Sequence, residues 1–101
     1  MQRKAISIGS VELAEPILTA SGTAGYGAEF DSYFPLKKIG AVVTKSVAHF
    51  AWPGNPAPRL HPTPSGMLNA VGLQGSGVES FIERDLPLLQ NSGAKIVVSI
   101  W

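Results

Sequence analysis

The sequence predicts an α/β chain in which parallel strand–helix units follow a short β-hairpin. Three observations predict it. Short apolar runs recur at residues 16–20, 41–46 and 95–100, each the length of a strand buried on both faces. Helical patterns lie between the runs. The runs also end alike, in Ser21-Gly22-Thr23, in Lys45-Ser46 and in Ser99, so polar groups are delivered to one end of the sheet. Strands alternating with helices imply βαβ units. Because parallel crossovers are right-handed, such units wind in one sense, as in a barrel or a doubly wound sheet.

Each element has its own signal. Apolar–polar alternation in Ala5-Ile6-Ser7-Ile8 and Val11-Glu12-Leu13, around Gly9-Ser10, reads as a hairpin with one face covered. Pro16-Ile17-Leu18-Thr19-Ala20 reads as the first buried strand. Phe30, Tyr33, Phe34 and Leu36 fall at mixed helical spacing, with Pro35 suited to the first turn of a short helix and Lys37, Lys38 and Gly40 to its end. Ala41-Val42-Val43-Thr44-Lys45-Ser46 is the second buried strand. Residues 47–66 hold five prolines and two glycines, which excludes a central strand or long helix and predicts a long, stiffened loop. Loops of that length in compact domains are usually functional. From Val78 onward, Phe81, Ile82, Leu86 and Leu89 recur at helical spacing, and Pro87 predicts a kink or two abutting pieces. Ser92-Gly93 ends the helix, and Lys95–Ile100 is the third buried strand, followed by Trp101.

Bulk composition narrows the class. The 101 residues are 45% hydrophobic and 15% charged. So small a domain normally carries more charge, and the balance fits a segment of a larger α/β protein. The formal net charge is +1, from 8 basic and 7 acidic side chains spread along the chain. No basic stripe results, so no nucleic-acid partner is implied. The chain has no cysteine, which excludes a disulfide scaffold or a cysteine-ligated metal within it. No run approaches about 18 apolar residues, and the opening MQRKAISIGS lacks a signal peptide's apolar core. The expectation is a cytoplasmic protein with no membrane segment.

Chemistry is expected at the strand exits, the end at which (β/α)8 barrels place their active sites. Lys45 ends an apolar strand, where its ammonium either stabilises negative charge on a cofactor or substrate or snorkels from the strand end. Asn69-Ala70-Val71-Gly72-Leu73-Gln74 follows the proline-rich loop. Asn69 offers donor and acceptor to a planar ring, and Gly72 lets the backbone approach a ligand. The alternative is an ordinary loop leading into a helix. Gly22, Gly25 and Gly27, like Gly72, Gly75 and Gly77, are spaced GxxGxG rather than GxGxxG, so turn glycines account for them better than a dinucleotide fold. His49 and His61 have no second ligand at metal spacing, and no metal site is expected. Trp52 is placed to pack the loop down, whereas Trp101 has no assignable role.

Taken in order, these segments resemble dihydroorotate dehydrogenases. Ala20-Ser21-Gly22-Thr23 with Gly25-Tyr26-Gly27 resembles the family's first strand exit, and Thr44-Lys45-Ser46 its second. Gly54-Asn55-Pro56-Ala57-Pro58-Arg59 and the run Thr63–Gln74, TPSGMLNAVGLQ, resemble the loop that follows. Each motif alone is weak; all of them in this order and spacing are specific, and they span nearly the whole chain. The resemblance implies the N-terminal portion of a (β/α)8 TIM barrel. Residues 1–101 would be part of one catalytic domain, cut after the third barrel strand and supplying about three of eight units. It implies FMN held by Ser21, Lys45, Ser46 and Ser99. Dihydroorotate or orotate would be held by Lys45, Asn69, Ala70, Val71, Gly72 and Leu73.

The TPSGMLNAVGLQ wording looks most like the class 1B branch, which passes electrons through an iron–sulfur and FAD subunit to NAD. A homodimer or heterotetramer is implied for the complete enzyme. The sequence departs from the family pattern at Ser99, where an asparagine is usual, and at Trp101, where a small-residue turn is usual. The class 1 catalytic base is a cysteine on a later loop, so no catalytic base is expected in this chain. Two other readings stay open: a non-catalytic fragment or relic of the barrel, and a related flavoenzyme such as a dihydropyrimidine dehydrogenase domain.

Overall fold

The computed structural model describes residues 4–101. Met1, Gln2 and Arg3, which open the segment read as lacking a leader, lie outside the described residues. The fold is mixed α/β. Strands β1 (Ile6–Ile8) and β2 (Val11–Leu13) form the expected antiparallel hairpin, with Ile6 opposite Leu13 and Ile8 opposite Val11. The face expected to be covered is covered only at its open end: Leu13 is fully buried, whereas Ile8 and Val11, next to the turn, are exposed.

Three parallel segments lie side by side in chain order. Strand β3 (Val42–Val43) is in the middle. On one side Leu18 forms a parallel bridge to Ala41. On the other, β6 (Ile96–Val97) pairs in parallel, with Val42 opposite Ile96, and the pairing continues as a bridge between Val47 and Ile100. Thr19 Oγ1 ties the first pair further, accepting from the Val43 amide at 2.8 Å and donating to the Val43 carbonyl at 3.2 Å.

Of the three strands expected to be buried, the middle one is. Ala41, Val42 and Thr44 are each 0% exposed. The outer two are corrected by the structure: Ile17 is 66% and Ile100 79% exposed, and residues 16–20 are reduced to the single bridge. A parallel strand is buried only when neighbours and helices cover both its faces, and only β3 has a paired segment on each side.

Helical segments also differ from expectation. In place of one helix from Phe30, two 3₁₀ segments form, Ala28–Ser32 and Leu36–Lys38, with Pro35 extended between them. Proline has no N–H to donate and drives the residue before it away from helical geometry. The Asp31 carboxylate accepts the Leu36 amide at 3.0 Å, capping the second segment. Further on, α1 (Val78–Ser80), a π-helical stretch (Phe81–Asp85) and α2 (Leu86–Asn91) abut without a break. The irregularity expected from Pro87 is therefore a widened turn just before it, one recognised way a helix accommodates a missing hydrogen bond. Gly93 follows with φ +75.

The proline-rich segment is not all loop. Strands β4 (Leu60–Thr63) and β5 (Gly66–Asn69) pair antiparallel, Leu60 opposite Asn69 and Pro62 opposite Met67. A two-stranded hairpin leaves each strand one open edge, the setting in which proline is tolerated. The core packs Leu36, Val42, Val47, Phe81 and Leu89 together, with Tyr26, Ile39, Leu86 and Ile96 against them. The radius of gyration is 15.5 Å, against about 13 Å for a compact chain of this length.

Candidate functional site

The parallel strands put three hydroxyls in a row at their common end. Ser21 Oγ donates to the Thr44 carbonyl at 3.1 Å and lies 3.3 Å from Ser46 Oγ, which is 2.7 Å from Ser99 Oγ. The Ser99 amide reaches Thr44 Oγ1 at 3.3 Å. One serine comes from each parallel segment, so the row follows from the register of the strands. Beside it, the Lys45 amide donates to Gly25 O at 2.8 Å, which fixes the backbone from which the side chain projects. The Lys45 ammonium has no hydrogen bond or ion pair among the described residues.

The opposite wall is residues 69–74, held from behind by residues 52–59. The Asn55 amide donates to Val71 O at 3.0 Å, and its side-chain Nδ2 donates to Ala70 O at 3.0 Å. Trp52 and Gly75 exchange two backbone hydrogen bonds of 2.8 Å, so the loop is tied here by main chain, while the Trp52 side chain remains exposed. Gly72 has φ +81, and a Cβ there would lie 2.6 Å from Asn55 N. Leu73, with φ +59, continues the left-handed path, a conformation non-glycine residues rarely take.

Between the walls is a cleft of about 660 Å³ lined by Ser21, Gly22, Thr23, Lys45, Ser46 and residues 69–74. Every candidate residue but one lines it: Ser21, Lys45, Ser46, Asn69, Ala70, Val71, Gly72 and Leu73. Ser99 does not line it and meets it only through Ser46. Gly22, Thr23 and Gln74, which belong to the strand exit and loop segment read above but were given no binding role, also line the cleft.

The cleft combines the Lys45 cation, hydroxyls at the strand exits, an amide side chain and exposed backbone. That set suits an anionic, planar, hydrogen-bonding ligand. Among the described residues no group of His, Cys, Asp or Glu is arranged to hold a metal. None of the described helices is long and apolar enough to cross a membrane. His49 and His61 are both exposed and lie outside the cleft. Trp101, unassigned from sequence, packs edge-on against Phe50 at 5.8 Å, and Phe50 packs in turn against Trp52 at 6.0 Å.

Comparison with known proteins gives a consistent result. The family model described as dihydroorotate dehydrogenase matches residues 4–101. The catalytic subunit of dihydroorotate dehydrogenase B (NAD(+)) from Alkaliphilus metalliredigens is 52% identical over 95 residues, covering 94% of this chain and 32% of that protein. The subunit of the same name from Geobacter sp. strain M21 is 44% identical over 103 residues, covering 100% of this chain and 34% of that protein. That from Thermoanaerobacter sp. strain X514 is 45% identical over 95 residues. The chain spans about a third of the length of these curated relatives.

Proposed function

The chain belongs to the dihydroorotate dehydrogenase family, and from that premise we propose that the protein carrying it oxidises dihydroorotate to orotate in the de novo synthesis of UMP. Residues 1–101 are the N-terminal part of its catalytic (β/α)8 barrel. The observation that supports this most is the convergence of three separate segments, 21–23, 45–46 and 69–74, on one cleft. Its volume lies within the range of about 300–1,000 Å³ common for small-molecule sites.

The residue set fits FMN, with Ser21, Lys45 and Ser46 facing it and Ser99 acting through Ser46. When bound, FMN supplies the acceptor for the hydride leaving C6 of dihydroorotate. The Lys45 ammonium, which has no hydrogen bond or ion pair among the described residues, stabilises negative charge on whatever faces it, and does so more strongly once water is excluded. Asn69 orients the planar ring through its paired donor and acceptor. The backbone amides at Val71, Gly72 and Leu73 receive the substrate carboxylate, and Ala70, whose amide already donates to Arg59 O, lines the wall beside them. The proton leaving C5 goes to a base outside this cysteine-free chain.

The relatives are named catalytic subunits. A partner subunit that carries iron–sulfur and FAD groups and delivers electrons to NAD completes the proposal. The complete enzyme is then a homodimer or heterotetramer in the cytoplasm.

Lys45→Ala in the whole protein tests the reading. Flavin content and dihydroorotate-dependent turnover are measured together, and turnover is expected to drop by about 100-fold or more, the scale seen when one charge-stabilising group is removed. Normal flavin content with normal turnover would remove Lys45 from the site. A protein that processes uracil and ignores dihydroorotate would instead be a dihydropyrimidine dehydrogenase relative. The exposed apolar strand positions Ile17 and Ile100 favour a second reading for the isolated 101 residues: a non-catalytic fragment.

A further inference from the structure

We propose that Arg59 is a positioning residue for the substrate wall of the cleft, acting through Gln74 and Asn55 without touching the ligand. The inference rests on the functional reading above and extends it to a residue outside the cleft. Arg59 is not among the lining residues, yet its guanidinium gathers three acceptors from two stretches of chain. Nε donates to Asn55 O at 2.7 Å and one terminal nitrogen to Pro53 O at 2.7 Å; the other donates to the Gln74 side-chain oxygen. Its own carbonyl accepts the Ala70 amide at 2.8 Å. One residue thus touches both ends of the 70–74 wall.

The two stretches it joins have no slack. A Cβ on Gly54 would lie 2.5 Å from Val71 O and 3.0 Å from Gln74 Cβ, and one on Gly72 would lie 2.6 Å from Asn55 N. Backbone therefore meets backbone from both sides, and Asn55 bonds Ala70 and Val71 directly. Among the described residues, Gln74 is the only cleft-lining side chain that reaches back to the guanidinium.

A planar guanidinium presents five donors in a fixed fork, which an ammonium on a flexible stem cannot reproduce. Arg59 is accordingly not replaceable by lysine, although the charge is the same. A wall displaced by about an ångström loses the geometry that a bound ring requires. The cost falls on ligand affinity and productive orientation. Flavin binding is spared, because Ser21, Lys45 and Ser46 stand on the opposite wall.

The experiment uses the whole protein with its flavin bound. Orotate affinity is read from the change in flavin absorbance, and amide hydrogen exchange is followed in residues 69–74 without ligand. In Arg59→Lys, flavin content is expected to stay at the wild-type level while 69–74 exchange faster. Orotate affinity is expected to fall by about tenfold, the equivalent of one lost charge-assisted hydrogen bond. Gln74→Leu is expected to produce a similar loss, and the double variant little more than either single one, because both act through one contact.

Unchanged exchange in both single variants overturns the clamp. Faster exchange with unchanged orotate affinity overturns its role in positioning the ligand. Fully additive losses in the double variant overturn the route through Gln74. A wild-type protein that binds flavin and ignores orotate counts against the proposed substrate, and the exchange measurement still decides the clamp. Should Arg59→Lys fail to fold, Gln74→Leu carries the same decision.

Discussion

Gly72 shows how a residue can be read correctly as special and for an incomplete reason. Its lack of a side chain suggests close approach to a ligand, but the atoms a Cβ would meet belong to Asn55, behind the wall. Gly72→Ala is therefore expected to act through that packing and through φ +81, at about 1–3 kcal/mol for the backbone strain alone. Thermal unfolding of the whole protein should register the loss, and an orotate titration a weaker complex. An unchanged melting temperature would mean that Asn55 moves aside freely. Lys45 and Asn69 were legible because a strand exit or a loop entry is a place in the sequence. Arg59 was not, since its partners Pro53, Asn55 and Gln74 converge only through a hairpin that the run of prolines concealed.

Among the elements, those with an uninterrupted period were legible and those broken by proline were less so. The first hairpin and β3 follow from alternation and from a β-branched run. Pro35 split an expected helix, Pro62 sits within β4, and Pro87 follows a π-helical stretch. That stretch also carries Asp85, whose carboxyl lies above its ordinary range because burial disfavours the charge and Glu29 adds repulsion, against an opposing pull from Arg84. A raised folded-state pKa means that the folded protein holds the proton more tightly than the unfolded one. The stabilising contribution is present in acid and is lost as pH rises through the ordinary aspartate range to the raised value. Asp85→Asn should thus add a small amount of stability at pH 7, under about 0.5 kcal/mol at so solvent-accessible a site, read as a slightly higher melting temperature. The gain should vanish below about pH 3, where the unfolded-state carboxyl is also protonated. A constant difference across that range would assign the effect to packing.

For the molecule as a whole, the parallel order of the three segments was legible and the burial of the outer two was not. Composition reports how apolar a strand is, not whether anything lies beside it. Ile17, Val97, Val98 and Ile100 remain 41–79% exposed, on a chain less compact than its length allows. Unpaired parallel edges bearing apolar side chains are a template for association. The isolated 101 residues are accordingly expected to self-associate, bind a hydrophobic dye and hold no flavin, by light scattering and absorbance. A monomeric, cooperatively melting, yellow preparation would show that these residues suffice for a cofactor site.

The serine row has a direction, which follows from counting protons. Ser21 has one, and it is committed to the Thr44 carbonyl. The Ser21–Ser46 contact must then be supplied by Ser46, and the Ser46–Ser99 contact by Ser99. The protons form one relay, from Ser99 on the third segment to Ser46 on the middle one, on to Ser21 on the first, and back to the Thr44 carbonyl. With its proton given to Ser21, Ser46 keeps only acceptor capacity for a ligand in the cleft, so this edge takes N–H groups in preference to carbonyls until the link at Thr44 is broken.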